Sequence, residues 1–140
     1  MIDNKNTLLR GVTVLITEDD PLIAELYEKT VAMSGGQAIL AGDGEEALMK
    51  LKHLKIDVIL LDIKMPKMNG YEVLRHLKDD PTLSEIPVFV LTSLESHPEY
   101  VQKASDIKIE EFLLKSDVTP EEVMEKVARA LERKKTEPRA

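Results

Sequence analysis

Asp57-Val58-Ile59-Leu60-Leu61-Asp62, running on into Ile63-Lys64-Met65-Pro66-Lys67-Met68-Asn69-Gly70, is the stretch that decides the fold. Four consecutive aliphatic residues, Val58 to Leu61, read as a strand buried on both faces. The run is short for a helix, and Pro66 and Gly70 close it. Asp62 therefore stands at the carboxyl end of a central strand. Open α/β sheets bind their ligands at those ends. One such carboxylate is as easily a solvated strand end as a chemical centre.

The neighbouring segments repeat the pattern. Val12 to Thr17 is rich in β-branched residues and reads as the first strand. It ends in Glu18-Asp19-Asp20 and then Pro21, an acidic cap followed by the residue favoured at a first helical position. Leu22, Leu26 and Thr30, with Ile23 and Tyr27, supply an apolar face for a helix to about Met33, and Ser34-Gly35-Gly36 stops it. Gln37 to Ala41 is a short second strand, and Ala47, Leu48 and Leu51 mark a second helix. After the Asp57–Asp62 strand, Val73, Leu74 and Leu77 mark a third helix that opens at Gly70 and ends before Asp80-Pro81. Pro87 to Thr92 is a buried strand, Pro98 to about Asp106 a thin fourth helix, and Glu111 to Lys115 a fifth strand. Thr119, Pro120 and Glu122 begin the last helix, with Val123, Val127 and Leu131 on its buried face.

Strands alternating with helices imply a doubly wound α/β domain with five parallel strands and five helices. Periodicity alone leaves the strand order open. The chain divides into an N-terminal extension (1–10), one domain (11–133) and a polar tail (134–140). At 140 residues, with 19 basic and 26 acidic side chains and a formal charge of −7, it is poorly suited to neutralising phosphates of nucleic acid. It has no cysteine, hence no disulfide or thiolate metal site. The polar start lacks a signal-peptide core, and no apolar run is long enough to span a bilayer. A cytoplasmic, membrane-free domain is the expectation.

Four strand ends then fall on one edge of one sheet, carrying Glu18-Asp19, Asp62, Thr92-Ser93 and Lys115. Each residue has a plainer account: acids favoured by a helix dipole, a strand-end hydroxyl, a snorkelling lysine. Asp20 fits its cap role and nothing more. Glu18, Asp19 and Asp62 together would repel one another without a cation, and hard oxygen ligands without His or Cys suit Mg²⁺. Carboxylates, a hydroxyl and an ammonium on one edge are the layout for phosphoryl transfer. His53, His76 and His97 have no ligand spacing, and Asn69-Gly70 reads as a loop turn.

Glu-Asp-Asp after the first strand, Leu-Leu-Asp-x-x-Met-Pro-x-Met-Asn-Gly after the third, Leu-Thr-Ser after the fourth and Phe-Leu-Leu-Lys in the fifth resemble the response-regulator receiver domain (CheY-like) of two-component signalling. The match runs from about Val12 to Arg133. The resemblance implies the flavodoxin-like strand order 2-1-3-4-5. It implies that Asp62 accepts a phosphoryl group from the phosphohistidine of a histidine kinase or phosphotransfer protein. It assigns Mg²⁺ to Glu18, Asp19, Asp62 and the backbone carbonyl of Lys64, the phosphoryl oxygens to Thr92 and Lys115, and a switch role to Phe112. Such a module promotes its own phosphotransfer and dephosphorylation without being an enzyme in the ordinary sense. Its output passes to an unidentified protein partner, or to dimerisation, through the face of the fourth helix, fifth strand and last helix. Direct nucleic-acid binding is not expected.

Three departures stand out. Ser116 occupies the place of the family's usual proline; since a non-proline cis bond costs about 2.5–4 kcal/mol, a trans Lys115–Ser116 bond is expected. Ser105 to Ile109 lacks the glycine usual before the fifth strand. Lys64, two residues past the acceptor, bears on the lifetime of the phosphorylated state. Two rivals remain at this point. A phosphatase of the haloacid dehalogenase type wants a carboxylate where Lys64 stands, and a vestigial docking domain would not need the complete acid, hydroxyl and lysine set.

Overall fold

Five short aliphatic strands and the helices between them build one sheet with two covered faces. The computed structural model describes residues 7–65, 67–93 and 109–136. Its strands are β1 (Thr13–Thr17), β2 (Gln37–Ala41), β3 (Val58–Leu61), β4 (Val88–Thr92) and β5 (Glu111–Leu114). Its helices are α1 (Pro21–Met33), α2 (Gly44–His53), α3 (Gly70–Asp79) and α4 (Pro120–Thr136). The strand order is β2-β1-β3-β4-β5, and every pairing is parallel. The expected helix from Pro98 to about Asp106 lies outside the described residues.

Alternation along the strands decides which side chain enters which core, because successive Cβ atoms point to opposite faces. Leu15, Ile59, Leu61, Val88 and Val90 pack with Leu48 and Leu51 of α2 and Val73, Leu74 and Leu77 of α3. Val14, Ile16, Val58, Leu60, Phe89, Leu91 and Leu113 pack with Tyr27 and Val31 of α1 and Val123, Met124 and Val127 of α4. All four residues of β3 are buried, as a strand covered on both faces requires.

Each described helix starts on a side-chain cap. The Asp20 carboxylate accepts from the Leu22 N–H at 2.9 Å, and Pro21 follows it. Asp43 accepts from the Glu46 N–H at 2.8 Å. Asn69 and Glu72 form a reciprocal capping box on α3, at 2.9 and 3.3 Å. Asn69 is thus more than the loop turn its sequence suggests. Thr119 and Glu122 repeat the box on α4 at 3.1 and 3.0 Å.

Several details depart from the sequence reading. In α1 the expected face through Leu22 and Leu26 points outward, at 77% and 50% exposed, while Ala24, Tyr27, Thr30 and Val31 are buried. The helix carries two apolar stripes, and the larger Tyr27–Val31 stripe wins contact with the sheet. Leu9, in the stretch expected as an extension, is fully buried, with its N–H donating to the Ser34 carbonyl at 2.8 Å. The last helix continues to Thr136, where Arg133 and Lys134 meet Glu110 at 3.3 and 3.1 Å. No described peptide bond is cis, so Lys115–Ser116 is trans. Lys67 adopts φ 66°, a left-handed backbone that costs most residues about 1–2 kcal/mol.

Thr17, at the end of β1, is 1% exposed and its hydroxyl has no hydrogen-bond partner. An unpaired buried hydroxyl opposes folding, and valine has nearly the same shape. Thr17→Val is expected to raise stability by up to about 1 kcal/mol, read as a higher urea midpoint at unchanged slope. A lower midpoint would show that the hydroxyl is paired in solution.

Candidate functional site

The register of the sheet brings the chemistry to one edge. Thr17 pairs with Leu61, so the next residues, Glu18 and Asp62, emerge side by side. The Asp62 N–H donates to the Thr17 carbonyl at 3.1 Å, and the Glu18 N–H to the Ala41 carbonyl at 3.0 Å. On the other side Thr92 pairs with Leu114, and the Lys115 N–H donates to the Thr92 carbonyl at 2.8 Å. Four of the side chains singled out in the sequence are therefore fixed by backbone hydrogen bonds at strand ends.

Their side chains converge. The Lys115 ammonium lies 2.7 Å from Glu18 Oε1 and 2.9 Å from Asp62 Oδ2. The remaining oxygens take backbone donors: the Asp20 N–H reaches Glu18 Oε2 at 3.1 Å, and the Lys64 N–H reaches Asp62 Oδ1 at 3.2 Å. Glu18 and Asp62 are buried at 7% and 5% exposure. Asp19 is exposed, and its carboxylate joins theirs with oxygens within 4.8 Å of one another.

Burial pushes the Glu18 carboxyl up to about 7, against the lowering effect of the Lys115 ammonium and the Asp20 N–H. For Lys115, burial alone would depress the ammonium; hydrogen bonds to Glu18 and Asp62 outweigh it and raise the group. The Lys115 ammonium thus pairs with two of the three clustered carboxylates, and one of these, Glu18, is reluctant to ionise. All-oxygen donors with surplus negative charge suit a hard divalent cation such as Mg²⁺.

Thr92 is buried at 3%, with its hydroxyl 3.5 Å from the Ser93 carbonyl. Phe112 is only partly buried and rests against the core shared with α2 and α3. Lys64 is exposed, and its described contact is the N–H donated to Asp62. His53 and His76 are exposed on the surface, and His97 lies outside the described residues.

Gly70 belongs to the site although the sequence reading saw only a helix start. Its N–H donates to the Ile63 carbonyl at 2.8 Å. A Cβ there would overlap the Asp62 carbonyl oxygen and sit 2.7 Å from Ile63 Cα. The first turn of α3 thus presses directly on the backbone of Asp62. The sequence signal was available: a glycine directly after the asparagine of an Asn-x-x-Glu capping box, where the structure leaves no room for a side chain.

The chain matches the family model described as the response regulator receiver domain over residues 14–128. It is 34% identical to the gliding motility regulatory protein of Myxococcus xanthus over 124 residues, 89% of this chain and 15% of that one. It is 30% identical to the DNA-binding response regulator MtrA of Mycolicibacterium smegmatis over 125 residues, 89% of this chain and 53% of that protein. The chain thus spans about half, or far less, of the length of these curated relatives. Among solved structures, the signal receiver domain of a signal transduction histidine kinase from Syntrophus aciditrophicus superposes with a TM-score of 0.79. That likeness has 30% identity and covers 93% of this chain and 96% of that one.

Gly70→Ala is expected to lower stability by about 1–3 kcal/mol, because the neighbour to be displaced is backbone. The Lys64 amide resonance should move with it, since its partner is the Asp62 carboxylate. A two-dimensional amide spectrum and a denaturant titration check both; an unmoved Lys64 amide would mean that the contact does not govern Asp62.

Proposed function

The chain belongs to the response-regulator receiver family, and on that premise we propose that Asp62 is its phosphoacceptor. The carrying observation is the Lys115 ammonium bridging Glu18 and Asp62, inside a cluster of three acids. Receiver domains are signalling domains of two-component systems, and this one would take its phosphoryl group from the phosphohistidine of a histidine kinase or phosphotransfer protein.

One carboxylate oxygen of Asp62 attacks phosphorus, and the bond from phosphorus to the imidazole nitrogen breaks. The electron pair stays on the ring nitrogen, which takes a proton, and an aspartyl phosphate remains. The Lys64 N–H holds the carboxylate in one orientation, at 3.2 Å. Lys115 follows the negative charge from the carboxylate onto the phosphoryl oxygens, releasing Glu18. Thr92, buried at the neighbouring strand end, offers its hydroxyl to a phosphoryl oxygen. Receiver domains bind Mg²⁺ at an acidic site, and here Glu18, Asp19, Asp62 and the Lys64 carbonyl would hold it. When bound, the ion supplies positive charge against the carboxylates and the donor's phosphoryl oxygens.

The phosphatase alternative is disfavoured by Lys64, which stands where a second acid is needed. A vestigial docking role is disfavoured by the intact contacts of Lys115. For output, the resemblance points to the face of the helix expected from Pro98 to about Asp106, β5 and α4, with Phe112 as the switch residue and an unidentified protein or a second receiver as partner. No described helix is long and apolar enough to cross a membrane.

Incubation with a small phosphodonor, with and without Mg²⁺ or chelator, followed by intact mass, tests the assignment. Two like charges 4 Å apart repel by roughly 4 kcal/mol at an effective dielectric near 20, so labelling should require the divalent ion. Asp62→Asn should abolish labelling, Asp19→Asn should slow it and weaken Mg²⁺ binding, and Lys115→Ala should chiefly impair the response to phosphorylation. Equal labelling of wild type and Asp62→Asn, or labelling indifferent to chelator, would sink the receiver mechanism.

A further inference from the structure

The turn between β2 and α2 contributes no side chain to the acidic edge, yet it is built against the loop that carries Asp62. A Cβ on Gly44 would overlap the Met68 carbonyl oxygen, 2.7 Å from Met68 Cβ and 2.9 Å from Val73 Cγ2. The first residue of α2 therefore rests on the backbone that leads into Gly70. Beside it, the Asp43 carboxylate caps α2 with one oxygen, 2.8 Å from the Glu46 N–H, and meets the Lys67 ammonium with the other at 3.5 Å. The Glu46 N–H and Lys67 together hold the Asp43 carboxyl below the usual carboxylate range. Lys67 is the one described non-glycine residue with a left-handed backbone. A strained residue is kept in place by its surroundings, and here the surroundings include Asp43.

These contacts form a continuous line. Asp43 and Gly44 press on Lys67 and Met68. Two residues on, Gly70 abuts the Asp62 carbonyl and bonds to Ile63. From the same loop the Lys64 N–H orients the Asp62 carboxylate. Backbone-to-backbone contacts at glycines transmit displacement poorly damped, because neither partner can rotate away.

We infer that the Asp43–Gly44 turn is a positioning element for phosphoryl transfer, holding the loop after β3 so that the Asp62 carboxylate keeps its attacking orientation. The inference rests on the phosphoacceptor reading of Asp62. It adds that residues some distance from the acids set the rate of transfer, apart from their part in stability. Misplacing a reacting group by a fraction of its bond length is enough to slow such a step severalfold or more.

The test uses the full chain as wild type, Gly44→Ala, Asp43→Asn and Val31→Ala. Val31 is fully buried in the opposite core and controls for instability alone. Each protein is first shown to be folded by circular dichroism at the working temperature. Labelling by phosphoramidate is then timed at saturating donor and Mg²⁺, and the Lys64 amide is followed by NMR without donor. Gly44→Ala should slow labelling by about tenfold and move the Lys64 amide, while Val31→Ala does neither. Asp43→Asn keeps a capping side chain but loses the charge that holds Lys67, so labelling should slow by about threefold, the scale of an exposed ion pair. Simple electrostatics predicts the opposite sign, since removing an acid eases the approach of an anionic donor. Wild-type or faster labelling by Asp43→Asn, with an unmoved Lys64 amide, overturns the inference even if Gly44→Ala fails to fold. So does equal slowing of folded Gly44→Ala and Val31→Ala. Failure of the wild type to label at all would instead overturn the phosphoacceptor reading.

Discussion

One ammonium between two buried carboxylates is the interaction on which the site depends. The parallel register of β1 and β3 forces Glu18 and Asp62 to emerge together at the sheet edge, and the strands are too well buried to let them part. Two anions so placed would oppose folding unless compensated by a cation or, as the raised Glu18 carboxyl permits, relieved by a proton. Lys115, delivered by β5 and tied to Thr92 through its own N–H, supplies the compensation. The arrangement offsets the charge of the paired acids and leaves them open to competition from a stronger cation.

Much of this was legible from residue order alone. Val58 to Leu61 reads better as a doubly covered strand than as a helix, and Asp62, Glu18, Thr92 and Lys115 then fall at strand ends by counting. The capping signal at Thr119-Pro120-x-Glu122 likewise matches the start of α4. What the sequence hid was orientation. Helix α1 carries apolar residues on two faces, and only packing against the sheet decides that Tyr27 and Val31 turn inward while Leu22 and Leu26 face water. Leu9 was hidden for a similar reason. A Leu8-Leu9 pair beside a polar stretch announces no core role until the Ser34 carbonyl captures the Leu9 backbone.

The glycines were hidden in another way. Gly44 and Gly70 act through the side chain they lack, and a missing atom leaves no periodicity or charge to read. Near Asp62 the loop is bounded by these two residues and by the strained Lys67, so its course is set by exclusion as much as by attraction. The acids are visible in the sequence because they are chemically loud; their scaffold is quiet.

The double burial of β3 has a consequence for hydrogen exchange. Its residues are at most 1% exposed, and its backbone is paired on one side with β1 and on the other with β4. Amides in such a strand meet solvent only when the largest cooperative unit of the domain opens. Asp62 is anchored to the end of that strand and so shares its protection. Loss of core stability would therefore not bend Asp62 gradually out of line. It would divide the population into molecules with β3 intact and molecules that have opened altogether, and the slowest-exchanging amides of the protein would report that division.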